Sequence, residues 1–242
     1  MLARSLKRAM RDGLVLVNVA TVAEVPEGTR RRSRSMTTVQ ARQLLNSDLD
    51  TWWRAYFELA LRLGLRPGEL TGLRWEDVDF DAGLIRVRHS LKRGRTGLAP
   101  GDLKTESSKR TLSMPDPVRV ALTALRRQQR EDRVRLGPYY LDKHDLVFRD
   151  DAGRPMARQW VHKRFKEVLA AAGLGTDWRP RETRHTFVSI ASEHGASIED
   201  IADAAGHVNP NVTRAVYRHQ ISDTVTRAPA AIDQALAAGG EA

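Results

Sequence analysis

The chain has 242 residues, 41% of them hydrophobic, with five tryptophans and no cysteine, a length and composition that suit a globular chain with a substantial core. No apolar run approaches the roughly 18 residues of a membrane-spanning helix, and without cysteine there is no disulfide, no zinc–thiolate site and no thiol nucleophile. The net charge of +10 favours a polyanionic partner, nucleic acid before an anionic membrane.

In chain order, the start Met1-Leu-Ala-Arg-Ser-Leu-Lys-Arg lacks the apolar stretch and cleavage site of a secretory signal. Leu2 to Leu16 reads as a helix that frays into Val17-Asn-Val-Ala-Thr. Pro26 to Ser35 holds Arg30, Arg31, Arg32 and Arg34 without apolar periodicity, the composition of an exposed linker. Thr37 and Gln40 have capping-box spacing and open a helix through Ala41, Leu44 and Leu45. Trp52 to Leu63 is a strongly apolar helix that stops at Gly64, and Pro67-Gly-Glu-Leu restarts a short one. Leu84 to His89 alternates like a strand and Arg110 to Met114 can be another, joined by a charged, glycine-rich connection from Gly94 to Lys109. Asp116-Pro117 opens a long helix that ends near Gly137. Met156–Ala172, Glu182–Glu193, Ser197–Ala205 and Asn211–Arg218 read as four more, and alanine-rich Ala230–Ala238 is a further candidate. The sum is an α+β domain, mostly helical, with one small antiparallel β-sheet.

Three local features carry chemistry. Leu63-Gly-Leu-Arg66-Pro-Gly-Glu69-Leu puts an arginine at a helix break. In Arg179-Pro-Arg181-Glu-Thr-Arg184-His185-Thr-Phe, two arginines three apart share a face if the segment is helical. Like charges at that spacing cost stability unless an anion, or a salt bridge to Glu182 or Glu199, offsets them. Ala205-Gly-His207 is followed ten residues later by Tyr217-Arg-His219. Only seven of the 40 basic residues are lysine. Arginine's planar fork suits bidentate phosphate contacts, although a GC-rich genome yields the same bias.

Taken together, the order Arg66 … Lys104 … Arg181-x-x-Arg184-His … Gly-His207 … Tyr217-Arg-His resembles the tyrosine recombinases, or phage-type integrases, over Thr37 to Ile221. The resemblance implies a helical-bundle catalytic domain that cuts and rejoins DNA through a 3′-phosphotyrosyl intermediate, with Tyr217 as nucleophile. Arg66 and Arg184 would stabilise charge building on the non-bridging oxygens, as preorganised donors do. Lys104 would protonate the departing 5′-oxygen, His207 would donate to the phosphate, and Glu69 would orient the arginine and histidine groups. The linkage conserves the ester's energy, so no cofactor, nucleotide or metal is expected.

This chain departs from the family pattern at Arg181, where a histidine is usual. Arginine keeps its proton and cannot act as a base, so Arg181 is expected to hold the scissile phosphate in a three-arginine clamp, leaving the base for Tyr217 open. His219 is a supporting candidate. Arg30, Arg31, Arg32 and Arg34 of the linker, with Lys109 and Arg110 beside Lys104, are the expected DNA contacts. Tyr56 reads as core, Tyr139 and Tyr140 as loop, and His89, His144, His162 and His194 have no metal-ligand spacing.

The organisation expected is a remnant of a core-binding domain over residues 1–25, a basic linker over 26–36 and a catalytic domain over 37–242. The partner implied is double-stranded DNA carrying attachment sites, bound by a homotetramer that is a monomer when free, in the cytoplasm at the nucleoid and away from any membrane. The rival readings are a truncated integrase that only binds DNA and a type IB topoisomerase.

Overall fold

The computed structural model describes residues 2–23, 33–94, 97–103 and 108–206. The chain divides into two compact units, Met1–Arg32 and Ser33–Ala242. In the first, α1 (Leu2–Arg11) and α2 (Val19–Val22) replace the single long helix expected. Gly13 makes the break: it is left-handed, φ 70°, and Leu14 N donates back to Ala9 O at 2.9 Å, which ends α1. Beyond it the Asn18 side chain accepts from the Ala20 amide while its Nδ2 donates to Ala3 O at 2.8 Å. One amide thus caps the second helix and ties it back to the first.

The second unit is built around one helix. α3 (Thr38–Asn46) starts at the expected capping box, with Thr37 and Gln40 exchanging both hydrogen bonds. α4 (Thr51–Leu63) is apolar almost all round, the pattern of a helix buried on every side. Its Trp53, Tyr56, Phe57 and Leu59 are essentially inaccessible, and Trp52, Trp53, Tyr56 and Phe57 make ring contacts that extend to Phe148 and Phe165. Tyr56 is therefore core, and burial drives its phenol further above the ordinary value. α5 (Pro67–Thr71) follows at once, with proline at its first position.

Among the described residues the strands form two sheets rather than the one expected. β1 (Val78–Asp79), β2 (Leu84–Val87) and β5 (Arg110–Ser113) make an antiparallel sheet in the order β1-β2-β5, and β3 (His89–Gly94) pairs antiparallel with β4 (Gly97–Asp102). The alternation over Leu84–His89 is interrupted at Arg88. There the fully buried Asp77 accepts from Arg88 Nε at 2.6 Å and lies 3.3 Å from His89 Nδ1. The connection after Gly94 is thus partly a strand of its own.

α6 (Asp116–Leu136) packs against α4, with Gln129 bridging Trp75 Nε1 and Val147 O in the interior. α7 (Arg158–Ala171) begins two residues later than expected, with Ala157 as its extended N-cap after the bridge between Arg149 and Pro155. α8 (Glu182–Glu193) and α9 (Ile198–Ala205, capped by Ser197) complete the described fold. α8 packs on both α4 and α9. Buried Glu182 at its start accepts from the amides of Arg34 and Arg179, and Thr186 accepts from that of Met36, so residues 34–36 run along the helix. The expected helices at Asn211–Arg218 and Ala230–Ala238 lie outside the described residues.

Candidate active site

The site begins where α4 stops. Gly64 takes the left-handed conformation, φ 62°, which ends a helix without the penalty a Cβ brings. Added there, a Cβ would come 2.4 Å from the Phe187 ring of α8. The chain then turns through buried Leu65 into Arg66, the N-cap of α5. The Arg66 amide, one of the orphan donors of a helix start, is taken by Glu69 Oε2 at 2.9 Å, three residues on.

Glu69 is only 2% exposed and is the hub of the site. Its Oε1 accepts from Arg66 Nη1 at 2.6 Å, and its Oε2 accepts from Arg110 Nη2 at 2.9 Å as well as from the Arg66 amide. Burial pushes this carboxyl up. The hydrogen bond and charge of Arg110, followed by the amide and charge of Arg66, outweigh burial and hold it below the usual carboxylate range.

Both arginines also reach the end of α9. Arg66 Nη2 donates to Gly206 O at 2.8 Å and Arg110 Nε to Ala204 O at 2.7 Å. These are carbonyls that a helix terminus leaves without internal partners, at its negative end. Gly206 is left-handed, φ 62°, and a Cβ on it would approach Arg110 Nη1 to 3.0 Å.

Arg184, on the first turn of α8, is 8% exposed and donates Nη1 to Gly64 O at 2.8 Å. Its Nη2 is buried with no hydrogen-bond partner among the described residues. Burial first, then repulsion from Arg66 and Arg110, brings its pKa down to about 9, with Glu69 opposing. Three guanidinium groups thus surround one carboxylate, and the cluster carries surplus positive charge and an orphaned buried donor. A buried donor without a partner costs about 1–3 kcal/mol, more when charged. An anion with a free oxygen is the chemical complement of such a cluster.

Arg181 stands apart from this arrangement. It is the N-cap of α8 and exposed, with Nη2 3.4 Å from Ser33 Oγ. It borders a cleft of about 600 Å³ whose other walls include Thr71, Ser90, Arg158, His162 and Arg179. His185 and His162 are both held below the ordinary histidine value, mainly by burial; Arg181 adds to this at His185 and Lys166 at His162. The charge of Arg184 is offset chiefly by Glu69, from across the fold, rather than by the Glu182 or Glu199 that lie closer in sequence.

Of the residues expected at the site, the structure therefore brings together Arg66, Glu69 and Arg184. Lys104, His207, Tyr217 and His219 lie outside the described residues, as do Arg30, Arg31 and Arg32. Arg34 packs its guanidinium 4.4 Å from the Trp178 ring centroid and 3.4 Å from Asp177. Lys109 is exposed. Arg110, expected as a DNA contact, is turned inward instead: its side chain is 8% exposed and its donors go to Glu69, Ala204 O and Ser108 O. Sequence reasoning missed its place in the cluster because Glu69 lies 41 positions away, and no local periodicity links them. Among the described residues no group of three or more histidines or carboxylates is placed to hold a metal ion.

The sequence profile of the phage integrase family matches residues 34–223. An integrase from Streptomyces ambofaciens is 34% identical over 96% of this chain and 61% of that protein. A XerC-like tyrosine recombinase from Caldanaerobacter subterraneus subsp. tengcongensis is 30% identical over 72% of this chain and 47% of that protein. The chain thus spans about half to three-fifths of these relatives. Among solved structures, the Tn1549 transposon integrase in complex with a circular intermediate DNA superposes with a TM-score of 0.74 at 21% identity, covering 96% of this chain and 76% of that one. XerA recombinase gives 0.61 at 20% identity, covering 83% and 63%. These likenesses establish the fold, mostly helical with small antiparallel sheets, and the profile match over most of its length makes the chain a member of the phage integrase family.

Proposed function

We propose that this protein is a site-specific DNA recombinase that integrates or excises a mobile element by cutting and rejoining strands through a 3′-phosphotyrosyl intermediate. The observation that carries the reading is the surplus-positive cluster of Arg66, Arg110 and Arg184 around Glu69, with Arg184 Nη2 buried and unpartnered among the described residues. A phosphodiester resists attack because its charge repels nucleophiles and grows in the transition state. Fixed donors in a water-poor site relieve that growth without reorganising. Arg66 and Arg184 bind the non-bridging oxygens, and Arg181, at the rim, adds a third positive charge along the phosphate backbone.

Tyr217 attacks phosphorus and the bond to the 5′-oxygen breaks. Lys104 supplies a proton to that oxygen, and His207 donates to the phosphate. Attack by a free 5′-hydroxyl on the phosphotyrosyl bond reverses the sequence of bond changes and releases the phenol. The partner is duplex DNA carrying attachment sites, on which four copies assemble, in the cytoplasm at the nucleoid. Support comes from the matched integrase relatives and from the Tn1549 integrase structure, which is a DNA complex.

The test is a nicked duplex carrying the element's attachment site, on which religation is blocked. The chain should form a protease-sensitive covalent adduct, and Tyr217→Phe should abolish it while still shifting the duplex on a gel. An adduct that persists in Tyr217→Phe removes that residue as nucleophile. Duplex binding without any adduct from the unaltered chain would leave a DNA-binding module only.

A further inference from the structure

Arg110 has a part that neither the family pattern nor its position beside Lys104 assigns. We propose that Arg110 is a positioning residue for strand cleavage, locking Glu69, and through it Arg66, to the end of α9 that hands the chain on to His207. The inference rests on the recombinase reading, but its contacts can be tested separately.

The geometry is that of a three-way clamp. Arg110 Nη2 donates to Glu69 Oε2 at 2.9 Å, and its Nε donates to Ala204 O at 2.7 Å. A third contact, from Nη1 to Ser108 O at 3.3 Å, fixes the group against its own strand. Glu69 passes the constraint to Arg66 through two bonds, one to the guanidinium and one to the amide. Arg66 closes the circuit on Gly206 O. Two guanidinium groups therefore hold two carbonyls of one helix end, and a single carboxylate holds both guanidinium groups.

Each link has a reason to need arginine at 110. A lysine ammonium is a point charge and lacks the fixed fork that places separate donors on Glu69 and Ala204 O. With its side chain 8% exposed, against 40% for Arg66, Arg110 is not the group that meets DNA. Its contribution to phosphate chemistry is electrostatic and geometric, through Glu69. The charged groups around that carboxylate are Arg66 at the head of α5, Arg110 on β5 and Arg184 on α8. Arg110 supplies the largest influence opposing burial. Without it the carboxyl should rise, and protonation would release Arg66 at a higher pH than in the unaltered chain.

Arg110→Met and Arg110→Lys separate these effects. Hydrogen exchange across residues 198–206 should accelerate in both, because neither keeps the Ala204 contact together with that to Glu69. Single-turnover adduct formation on the nicked duplex should fall by about 10²-fold in Arg110→Met, the scale of loss when a reacting group is displaced by about 1 Å. Duplex affinity should be unchanged. The acid side of the rate profile should move to higher pH in Arg110→Met, stay near its original place in Arg110→Lys, and not move when Arg110→Met is combined with Glu69→Gln.

Unchanged exchange at the end of α9 overturns the clamp whatever happens to cleavage. Faster exchange with unchanged cleavage, or a rate loss without the pH displacement, overturns the positioning role and leaves Arg110 as structural support. A variant too unstable to assay is covered by Arg110→Lys, which keeps the buried charge paired with Glu69. An unaltered chain that forms no adduct removes the recombinase reading and the catalytic consequence with it, while exchange still decides the clamp.

Discussion

Arg184 is a buried cation left with a donor to spare. Its Nη1 is satisfied by Gly64 O, while Nη2 is buried without a partner among the described residues, beside two like charges. Replacing it with methionine removes one hydrogen bond, worth about 1 kcal/mol net, but also removes the cost of a desolvated, under-neutralised cation, which reaches several kcal/mol. Arg184→Met should therefore melt at the same temperature as the unaltered chain or higher, while adduct formation falls by about 10²–10³-fold, the usual loss for one transition-state donor. Calorimetry beside single-turnover cleavage checks both halves; a large drop in melting temperature would mean that the arginine is a structural brace. Its depressed pKa of about 9 still leaves it charged at neutral pH, so the phosphate of the proposed reaction meets a cation there.

At the scale of elements, the junction between α4 and α5 decides where Arg66 stands. Gly64→Ala would put a Cβ 2.4 Å from the Phe187 ring in a left-handed conformation. Backbone strain of about 1 kcal/mol and overpacking of about 1–3 kcal/mol should add, lowering the denaturation midpoint. Cleavage should fall too, because Gly64 O is the Arg184 acceptor. A midpoint unchanged from the unaltered chain would show that α8 shifts freely. Much of this layout was legible in sequence, since the capping box at Thr37, Pro67 and Gly64 mark helix ends through local chemistry. The split of Leu84–His89 into two sheets was not, because it depends on Asp77 capturing Arg88 and His89. The inward turn of Arg110 was equally hidden: a basic residue in a basic stretch reads as surface, and only the buried carboxylate of a distant helix reverses that.

For the whole molecule, the charge of +10 sets how the DNA of the proposed function is approached. Affinity should fall linearly with the logarithm of salt, with a slope of about −0.9 per phosphate contact. Alanine at Arg30, Arg31 and Arg32 should flatten the slope by about 0.9 for each phosphate no longer neutralised. Arg110→Met should leave it alone, since that side chain is buried. Filter binding across a salt series measures both, and equal slopes would free the linker of any phosphate role. The Glu69 cluster has a different consequence at this scale. Its members come from the α4–α5 junction, β5, α8 and the last turn of α9, spread from residue 64 to residue 206. During synthesis the first of these emerges long before the last. A nascent chain lacking α9 keeps the Glu69 contacts of Arg66 and Arg110 but not their acceptors Gly206 O and Ala204 O, so the arginine cluster on which the proposed reaction depends is fixed only once residues 64–206 have all been translated and folded.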